Sequence, residues 1–418
     1  MNRLLQELRW RGFVSDTTPQ LSAHLDQGPT LVYCGFDPTA PSFQVGNLVP
    51  LMLLAHFQRA GHRPIVLMGG GTGLIGDPSG KRSERPLLSR EQIGEHLRRM
   101  RDQTAGFLDF DPGPTQALVL DNAKWLDAAK LIDFLRDVGK HFTVNVMLQK
   151  ESVKARLEAG ISYTEFSYML LQAYDFLHLF RTQRCTIQVG GSDQWGNITA
   201  GVELIRRVAD GEAHGLVHPL MTTATGAKFG KSDSGAIYLD PALTSPYRFY
   251  QFWMNVDDRD AADYLKLFTT GSKDEIESLA ARAKKDPAAR EAQRALAKDV
   301  TARVHGAPVA ASVESASQLL FGDFDPRSAD AAALEVLSRE IPTVRQPAGT
   351  RLADAVVAAG LAKSKSEARR AIEQGGIYVN QQRVTDGKKT IDGADLLAGG
   401  YVLLRKGRKD YALINASA

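Results

Sequence analysis

Leu31–Asn47 reads LVYCGFDPTAPSFQVGN, and LVPLMLLAHFQRA follows it as residues 48–60. A short apolar run ends in a polar turn, and Gly46 then opens an apolar segment of helical length, so the spacing predicts a strand over 31–36 and a helix over 46–60. The pattern recurs. Pro64–Met68 (PIVLM), Ala117–Leu120 (ALVL) and Thr186–Val189 (TIQV) read as further strands, and Ser89–Leu108 reads as a helix opened by a capping box of Ser89 and Gln92. Short apolar strands alternating with amphipathic helices give an α/β protein with a doubly wound parallel sheet. Such sheets bind ligands beyond the carboxyl ends of their strands, marked here by Gly35, Gly69 and Gly190.

From Pro246 to His305 the pattern becomes helical and rich in Ala, Lys, Asp and Glu. Weak periodicity and Pro, Ser and Arg around IPTVRQPAG (341–349) read as linker. Beyond it, helices are expected at 351–359 and 365–374, strands at 377–380 and 401–404, and a final hairpin turning at Gly407. Residues 345–418 hold 13 Lys or Arg against 7 Asp or Glu, although the whole chain carries only +3. A basic end on a slightly acidic body suits a polyanionic partner, and equally a small solvated domain. No run approaches the ~18 apolar residues needed to cross a bilayer, and residues 1–13 lack a signal peptide's apolar stretch. Cys34 and Cys185 are too few for a disulfide framework and lack zinc-site spacing. A soluble, cytoplasmic protein without a membrane partner or protein metal site is expected.

Several segments carry chemistry. Gly71, Gly73 and Gly76 in GTGLIG match a dinucleotide-binding glycine pattern, but Asp77-Pro78-Ser79-Gly80 interrupts the helix that pattern needs. Gly80-Lys81 is no P-loop, since Ile75 stands where its first glycine belongs and Arg82 replaces Ser or Thr. The turn before Gly46 offers a helix N-terminus for phosphate, or is an ordinary strand-to-helix connection. Lys228-Phe229-Gly230-Lys231-Ser232 can fold cations onto a phosphate, or be a solvated turn. Within TEFSYMLLQAYDFLHLF (164–180), Tyr168, Gln172 and Asp175 are spaced four and three apart, which aligns them on one stripe. A phenol, an amide and a carboxylate on an otherwise apolar helix suit a small amphipathic ligand, and the alternative is a polar face toward water. VGGSDQWGN (189–197) ends a strand in two glycines beside an acid that can hold ribose hydroxyls.

Together and in this order, YCGFDPTA, GLIGDPSGKRSER, YTEFSYMLLQAYDF, VGGSDQWGNI and KFGKS resemble the bacterial-type tyrosyl-tRNA synthetases, a class I aminoacyl-tRNA synthetase family, along nearly the whole chain. Residues 351–384 are similar to a small RNA-binding domain shared with a ribosomal small-subunit protein. The resemblance implies a Rossmann-like catalytic domain over 1–245 with a largely helical insertion at about 121–185. It further implies a helical anticodon-side domain over 246–325, a linker over 326–348 and the RNA-binding domain over 349–418. L-tyrosine, ATP with Mg2+ and tRNA(Tyr) are the implied partners, with no tightly bound cofactor, and the family's members are homodimers.

The resemblance also assigns residues. Tyr33 and Asp175 would hold the substrate phenol, Asp77, Tyr168 and Gln172 the α-ammonium, and Gln194 the carboxylate. Phenylalanine would leave the phenol's partners unpaired. Cys34, Gly35, Asp37, Gly46, Asn47, Gly191, Asp193, Lys231 and Ser232 would line the ATP site, while Thr39, Lys81, Arg85, Lys228 and Lys231 would surround the departing pyrophosphate. The family's His-x-Gly-His signature reads Gln44-Val45-Gly46-Asn47 here, so both histidines are amides. Asn47 can still donate a hydrogen bond, whereas Gln44 cannot become cationic. Gln44 is expected to donate to the γ-phosphate, with Lys81, Arg85, Lys228 and Lys231 carrying most of the charge. Two rivals stand beside this reading: tryptophan activation, and a lapsed enzyme kept as an RNA-binding factor.

Overall fold

The computed structural model describes residues 2–79, 88–150, 153–154, 160–226, 229–232, 235–322 and 324–416. The chain forms two compact units, one of residues 1–244 with 256–296 and another of 245–255 with 297–418.

The first unit is built on a six-stranded sheet of β1 (Asp16–Thr17), β2 (Leu31–Phe36), β3 (Arg63–Met68), β4 (Leu118–Asp121), β5 (Cys185–Gly191) and β6 (His214–His218), ordered β1-β6-β5-β2-β3-β4. All pairings are parallel except that of β1 with β6. From β2 the order runs outward through β3 and β4, and from β5 it runs the opposite way through β6. The reversal lies between β2 and β5, where such sheets form a ligand crevice. Strand β2 is apolar and buried apart from half-buried Leu31 and exposed Gly35, the latter lining that crevice. The Leu48–Arg59 helix buries Leu51, Met52, Leu53, Leu54 and Phe57, leaving it no solvent face of ordinary size.

The Tyr163–Gln183 helix is 21 residues long, begins where Ser162 Oγ accepts the Glu165 N–H and ends at Arg184 in the left-handed conformation. It buries Ala173, Phe176, Leu177 and Leu179 with Ile65 and Leu204 in the core. The capping box of Ser89 and Gln92 is present at the start of the Arg90–Gln103 helix.

The second unit holds a five-stranded sheet of β9 (Thr343–Arg345), β10 (Ile377–Val379), β11 (Gln382–Val384), β12 (Tyr401–Lys406) and β13 (Asp410–Asn415), ordered β11-β10-β12-β13-β9. A short hairpin of β7 (Lys231–Ser232) and β8 (Gly235–Ala236) lies earlier in the chain. Leu352, Val356, Ala368, Ile372, Ile377, Val402, Leu404 and Ile414 form the core of this domain.

These divisions differ from the expected ones. The helices Asp258–Phe268 and Lys273–Lys285 group with the α/β unit. Their tie is the buried Arg11 guanidinium, which donates to the carbonyls of Lys266, Thr269 and Gly271 across more than 250 residues of sequence. Nor is 326–348 a structureless linker: it contains the Ala331–Ser338 helix, capped by Asp330, and β9, which pairs in parallel with β13. A three-residue strand is too short to show periodicity.

Candidate active site

A cavity of about 600 Å3 opens at the carboxyl ends of β2 and β5, at the reversal of strand order. It is lined by Tyr33, Cys34, Gly35, Asp37, Thr39, Gly46, Asn47, Asp77, Tyr168, Gln172, Asp175, Gly191, Asp193 and Gln194, so residues from distant segments of sequence converge on one space.

At its closed end, Tyr33 is 1% exposed and its hydroxyl has no hydrogen-bond partner among the described residues. Gln188, opposite Tyr33 in register across β2 and β5, likewise buries an unpartnered Oε1. Buried polar groups are rarely left unpaired, and orphans lining a cavity point to a polar ligand. Asp175 is held beside them. Its Oδ2 accepts from Asn122 Nδ2 at 2.8 Å and its Oδ1 from Trp125 Nε1 at 2.7 Å. Asn122 is itself fixed, since its second N–H meets Thr72 Oγ1 and its Oδ1 accepts from Gly71 N. Trp125 stacks on His178 with ring centroids 4.3 Å apart. Burial pushes the Asp175 carboxyl up to about 7, although its hydrogen bonds to Asn122 and Trp125 pull it down. Burial, together with the nearby Asp175 charge, also pushes the Tyr33 phenol well above its ordinary value, so it stays a neutral donor.

About two turns back along the same helix, the Tyr168 hydroxyl donates to Asp37 Oδ2 at 2.8 Å, while Thr72 Oγ1 donates to Asp37 Oδ1. With its proton committed, Tyr168 presents only lone pairs to the cavity, which suits a cationic donor. Asn197 donates to Gln172 Oε1, Gln172 Nε2 lies 3.3 Å from Gln194 Oε1, and Gln194 Nε2 donates to Asp77 Oδ2 at 2.7 Å. The chain of amides thus ends on a carboxylate, whose other oxygen accepts the Ser79 N–H.

The opposite end is made of backbone. Cβ atoms built on Gly35 or Gly46 would meet nothing within 4 Å, so at both positions a side chain would project into the cavity. Asn47 Oδ1 accepts the Gln44 N–H at 2.9 Å, which leaves the Asn47 amide N–H groups for the cavity it lines. Thr39 is exposed at the mouth. Burial pushes the Cys34 thiol up to about 12, so this residue offers no thiolate.

Gln44 is not among the residues that line the cavity; its backbone bridges antiparallel to Tyr238, and its N–H donates to Asn47 Oδ1. Asp37, expected at the nucleotide, is also bonded to the amino-acid stripe through Tyr168. Lys81, Arg85 and Lys228 lie outside the described residues, and of Lys231 and Ser232 only the backbone, in β7, is described. Sequence reasoning missed Asn122, Trp125, Thr72 and Asn197. Asn122 and Trp125 follow β4 at its carboxyl end, a place the strand rule marks, but nothing local distinguishes them from a turn.

The family model of class I tRNA synthetases (W and Y) matches residues 25–322, and that of the tyrosine–tRNA ligase SYY-like C-terminal domain matches 333–414. The chain is 54% identical over 418 residues to a protein of Anaeromyxobacter dehalogenans named tyrosine–tRNA ligase, covering 99% of each. It is 52% identical over 423 residues to one of the same name from Roseiflexus castenholzii, again covering 99% of each. The crystal structure of a C-terminally truncated mitochondrial tyrosyl-tRNA synthetase of Aspergillus nidulans is similar with a TM-score of 0.70 at 30% identity, over 76% of this chain and 94% of that one. A Plasmodium falciparum tryptophanyl-tRNA synthetase shares the fold, with a TM-score of 0.54 at 13% identity over 74% and 84% of the two chains.

Proposed function

The chain belongs to the class I tRNA synthetases of the tryptophan and tyrosine group, and we propose that the two ends of its cavity take tyrosine and ATP in the residue roles that follow. It is a ligase that joins tyrosine to its tRNA. The observation that carries the choice of amino acid is the closed end: a buried neutral phenol without a partner, beside a carboxylate fixed on both oxygens.

The Tyr33 hydroxyl donates to the substrate phenol oxygen, and the substrate's phenol proton goes to Asp175. The ammonium lies against Asp77, the lone pairs of Tyr168 and Gln172 Oε1, and Gln194 orients the carboxylate. An oxygen of that carboxylate attacks the α-phosphorus of ATP. The new bond is C–O–P, the bond to the β-phosphate oxygen breaks, and pyrophosphate leaves. No enzyme nucleophile takes part, so the protein's work is positioning and charge stabilisation. Gly35, Gly46, Gly191 and Asp193 accommodate the nucleoside, with the Asn47 amide as a donor toward the phosphates. Thr39, Lys81, Arg85, Lys228 and Lys231 act on the departing pyrophosphate. In the second step the terminal ribose hydroxyl of the tRNA attacks the adenylate carbonyl and AMP leaves.

Among the described residues no three His, Cys, Asp or Glu side chains are grouped as metal ligands. Mg2+ would be carried by the triphosphate of ATP, whose oxygens suit a hard cation. The basic C-terminal domain, with Arg405 lying 3.8 Å over the Tyr378 ring, offers cation and stacking surface to RNA. Pairing of two copies would cover exposed apolar side chains such as Leu131, Ile132, Leu135, Val144 and Val146. No helix among the described residues is long and apolar enough to cross a membrane. A lapsed enzyme kept only as an RNA binder is not favoured, since it has no use for the hydrogen-bonded amino-acid pocket.

The test is ATP–pyrophosphate exchange with tyrosine, tryptophan or no amino acid. Exchange with tyrosine alone is expected; exchange driven by tryptophan, or none despite RNA binding, overturns the reading.

A further inference from the structure

His218 ends β6 and stands opposite Gly191 of β5. It is only 7% exposed, yet it lines the cavity. Its Nδ1 lies 2.9 Å from the Pro219 carbonyl. A carbonyl can only accept, so Nδ1 carries the proton, and in the neutral ring Nε2 is a lone-pair acceptor. Burial lowers the imidazole below its ordinary value, which keeps the ring neutral at neutral pH. Among the described residues Nε2 has no hydrogen-bond partner.

Its surroundings identify what it can meet. A Cβ built on Gly191 would lie 3.6 Å from His218 Cε1, 3.2 Å from Leu220 Cδ2 and 2.6 Å from Asp193 Oδ1. Imidazole, Leu220 and Asp193 therefore share one face around a bare glycine, at the end of the cavity assigned above to the nucleoside. Phosphate oxygens offer no proton to a lone pair at neutral pH. A nucleoside offers two kinds of donor, the exocyclic amine of adenine and the ribose hydroxyls.

We propose that His218 is a nucleoside-binding residue, whose Nε2 accepts a hydrogen bond from a donor of bound ATP and so contributes to nucleotide selection. This rests on the reading that the cavity binds ATP. Residue 218 lies outside every motif that carried the family resemblance.

The test pairs His218→Asn with His218→Gln in tyrosine-dependent pyrophosphate exchange. Asparagine keeps a donor for Pro219 at the position of Nδ1 and deletes Nε2; glutamine restores an acceptor at the reach of Nε2. H218N is expected to raise KM for ATP about 3- to 10-fold, the worth of one neutral hydrogen bond, with KM for tyrosine unchanged. H218Q is expected to recover most of that loss. Repeating the comparison with 2′-deoxyATP, 3′-deoxyATP and purine riboside triphosphate identifies the donor: on the analogue that lacks it, unmutated protein and H218N become equal. An unchanged KM for ATP in H218N, or a loss that persists undiminished on all three analogues, overturns the inference. Should H218N not fold, 15N-histidine NMR of the unmutated protein decides, with Nε2 shifting on ATP addition or, against the proposal, staying still. If the unmutated protein shows no tyrosine-dependent exchange, the ATP reading itself has failed, a result distinct from either outcome.

Discussion

The two ends of the cavity are built on opposite principles. The closed end is made of buried side chains whose donors and acceptors are committed to one another, from Gly71 through Asn122 to Asp175, while among the described residues the Tyr33 hydroxyl and Gln188 Oε1 are left without partners. The open end is made of bare backbone at Gly35 and Gly46, where a side chain would meet nothing. Selecting one aromatic amino acid requires telling a hydroxyl from a hydrogen, and only desolvated, immobile partners make a missing hydroxyl costly. Holding a large polyanion requires room and donors instead, which glycines and a helix start provide.

The largest expected effect comes from breaking the closed end. Asp175→Asn would turn an amide N–H toward either Asn122 Nδ2 or Trp125 Nε1, donor against donor. We expect kcat/KM for tyrosine to fall by about 3–4 kcal/mol, on the order of 10²- to 10³-fold, with KM for ATP unchanged; steady-state exchange kinetics measure both.

A pair of glycine substitutions separates room from packing. Gly46→Ala should melt like the unmutated protein, since nothing lies within 4 Å of the new Cβ, but its methyl occupies cavity space and KM for ATP should rise at least about 10-fold. Gly69→Ala should do the reverse. Its Cβ would clash with Asp37 Oδ1, costing about 1–3 kcal/mol of stability by overpacking, visible as a lowered melting temperature and a weakened tyrosine site.

The pH dependence should also divide the ends. In the tyrosine-free protein the Asp175 carboxyl is raised from 3.8 to about 7. The folded state therefore holds this proton more tightly than the unfolded chain, and the group's contribution to stability is full below pH 3.8 and lost as pH rises through about 7. Tyrosine prefers the ionised carboxylate, so its binding should tighten as pH rises toward 7, level off above, and release protons near neutrality. Calorimetry in buffers of different ionisation enthalpy measures that release. ATP binding should show no counterpart from this group.

The smallest effect is expected from Trp125→Phe, which keeps the stacking surface beside His178 but removes one bond that lowers the Asp175 pKa. The midpoint for tyrosine binding should move to higher pH, and KM for tyrosine at pH 7 should rise about 2- to 5-fold, consistent with one partly compensated hydrogen bond.

How far the sequence discloses this architecture differs between the same two ends. Strand β2 spans Leu31–Phe36 as its apolar run indicates, and the spacing of Tyr168, Gln172 and Asp175 does place them on one wall of a cavity. A helical period is a local property, legible without neighbours. Asn122 and Trp125 are not legible in that way, because each reaches Asp175 across at least 50 residues of sequence. Strand β6 escapes local reading for a related reason: HGLVH carries a histidine at each end, and its five residues are buried by elements distant in sequence, among them Trp195 and Ile198 over Gly215. Gln44 matches the signature by position, and its backbone bridge to Tyr238 joins segments far apart in the chain, which local sequence cannot disclose.

The central claim is that the unpartnered Tyr33 hydroxyl and the fixed Asp175 carboxylate together recognise a phenol. The ratio of kcat/KM for tyrosine over phenylalanine in pyrophosphate exchange, measured for the unmutated chain and for Tyr33→Phe, tests it most directly. The account predicts a ratio of about 10² to 10⁴ in the unmutated chain, from two buried groups left unpaired by phenylalanine, and a clear fall in Tyr33→Phe, mainly through weaker use of tyrosine. A ratio that Tyr33→Phe leaves unchanged would contradict it.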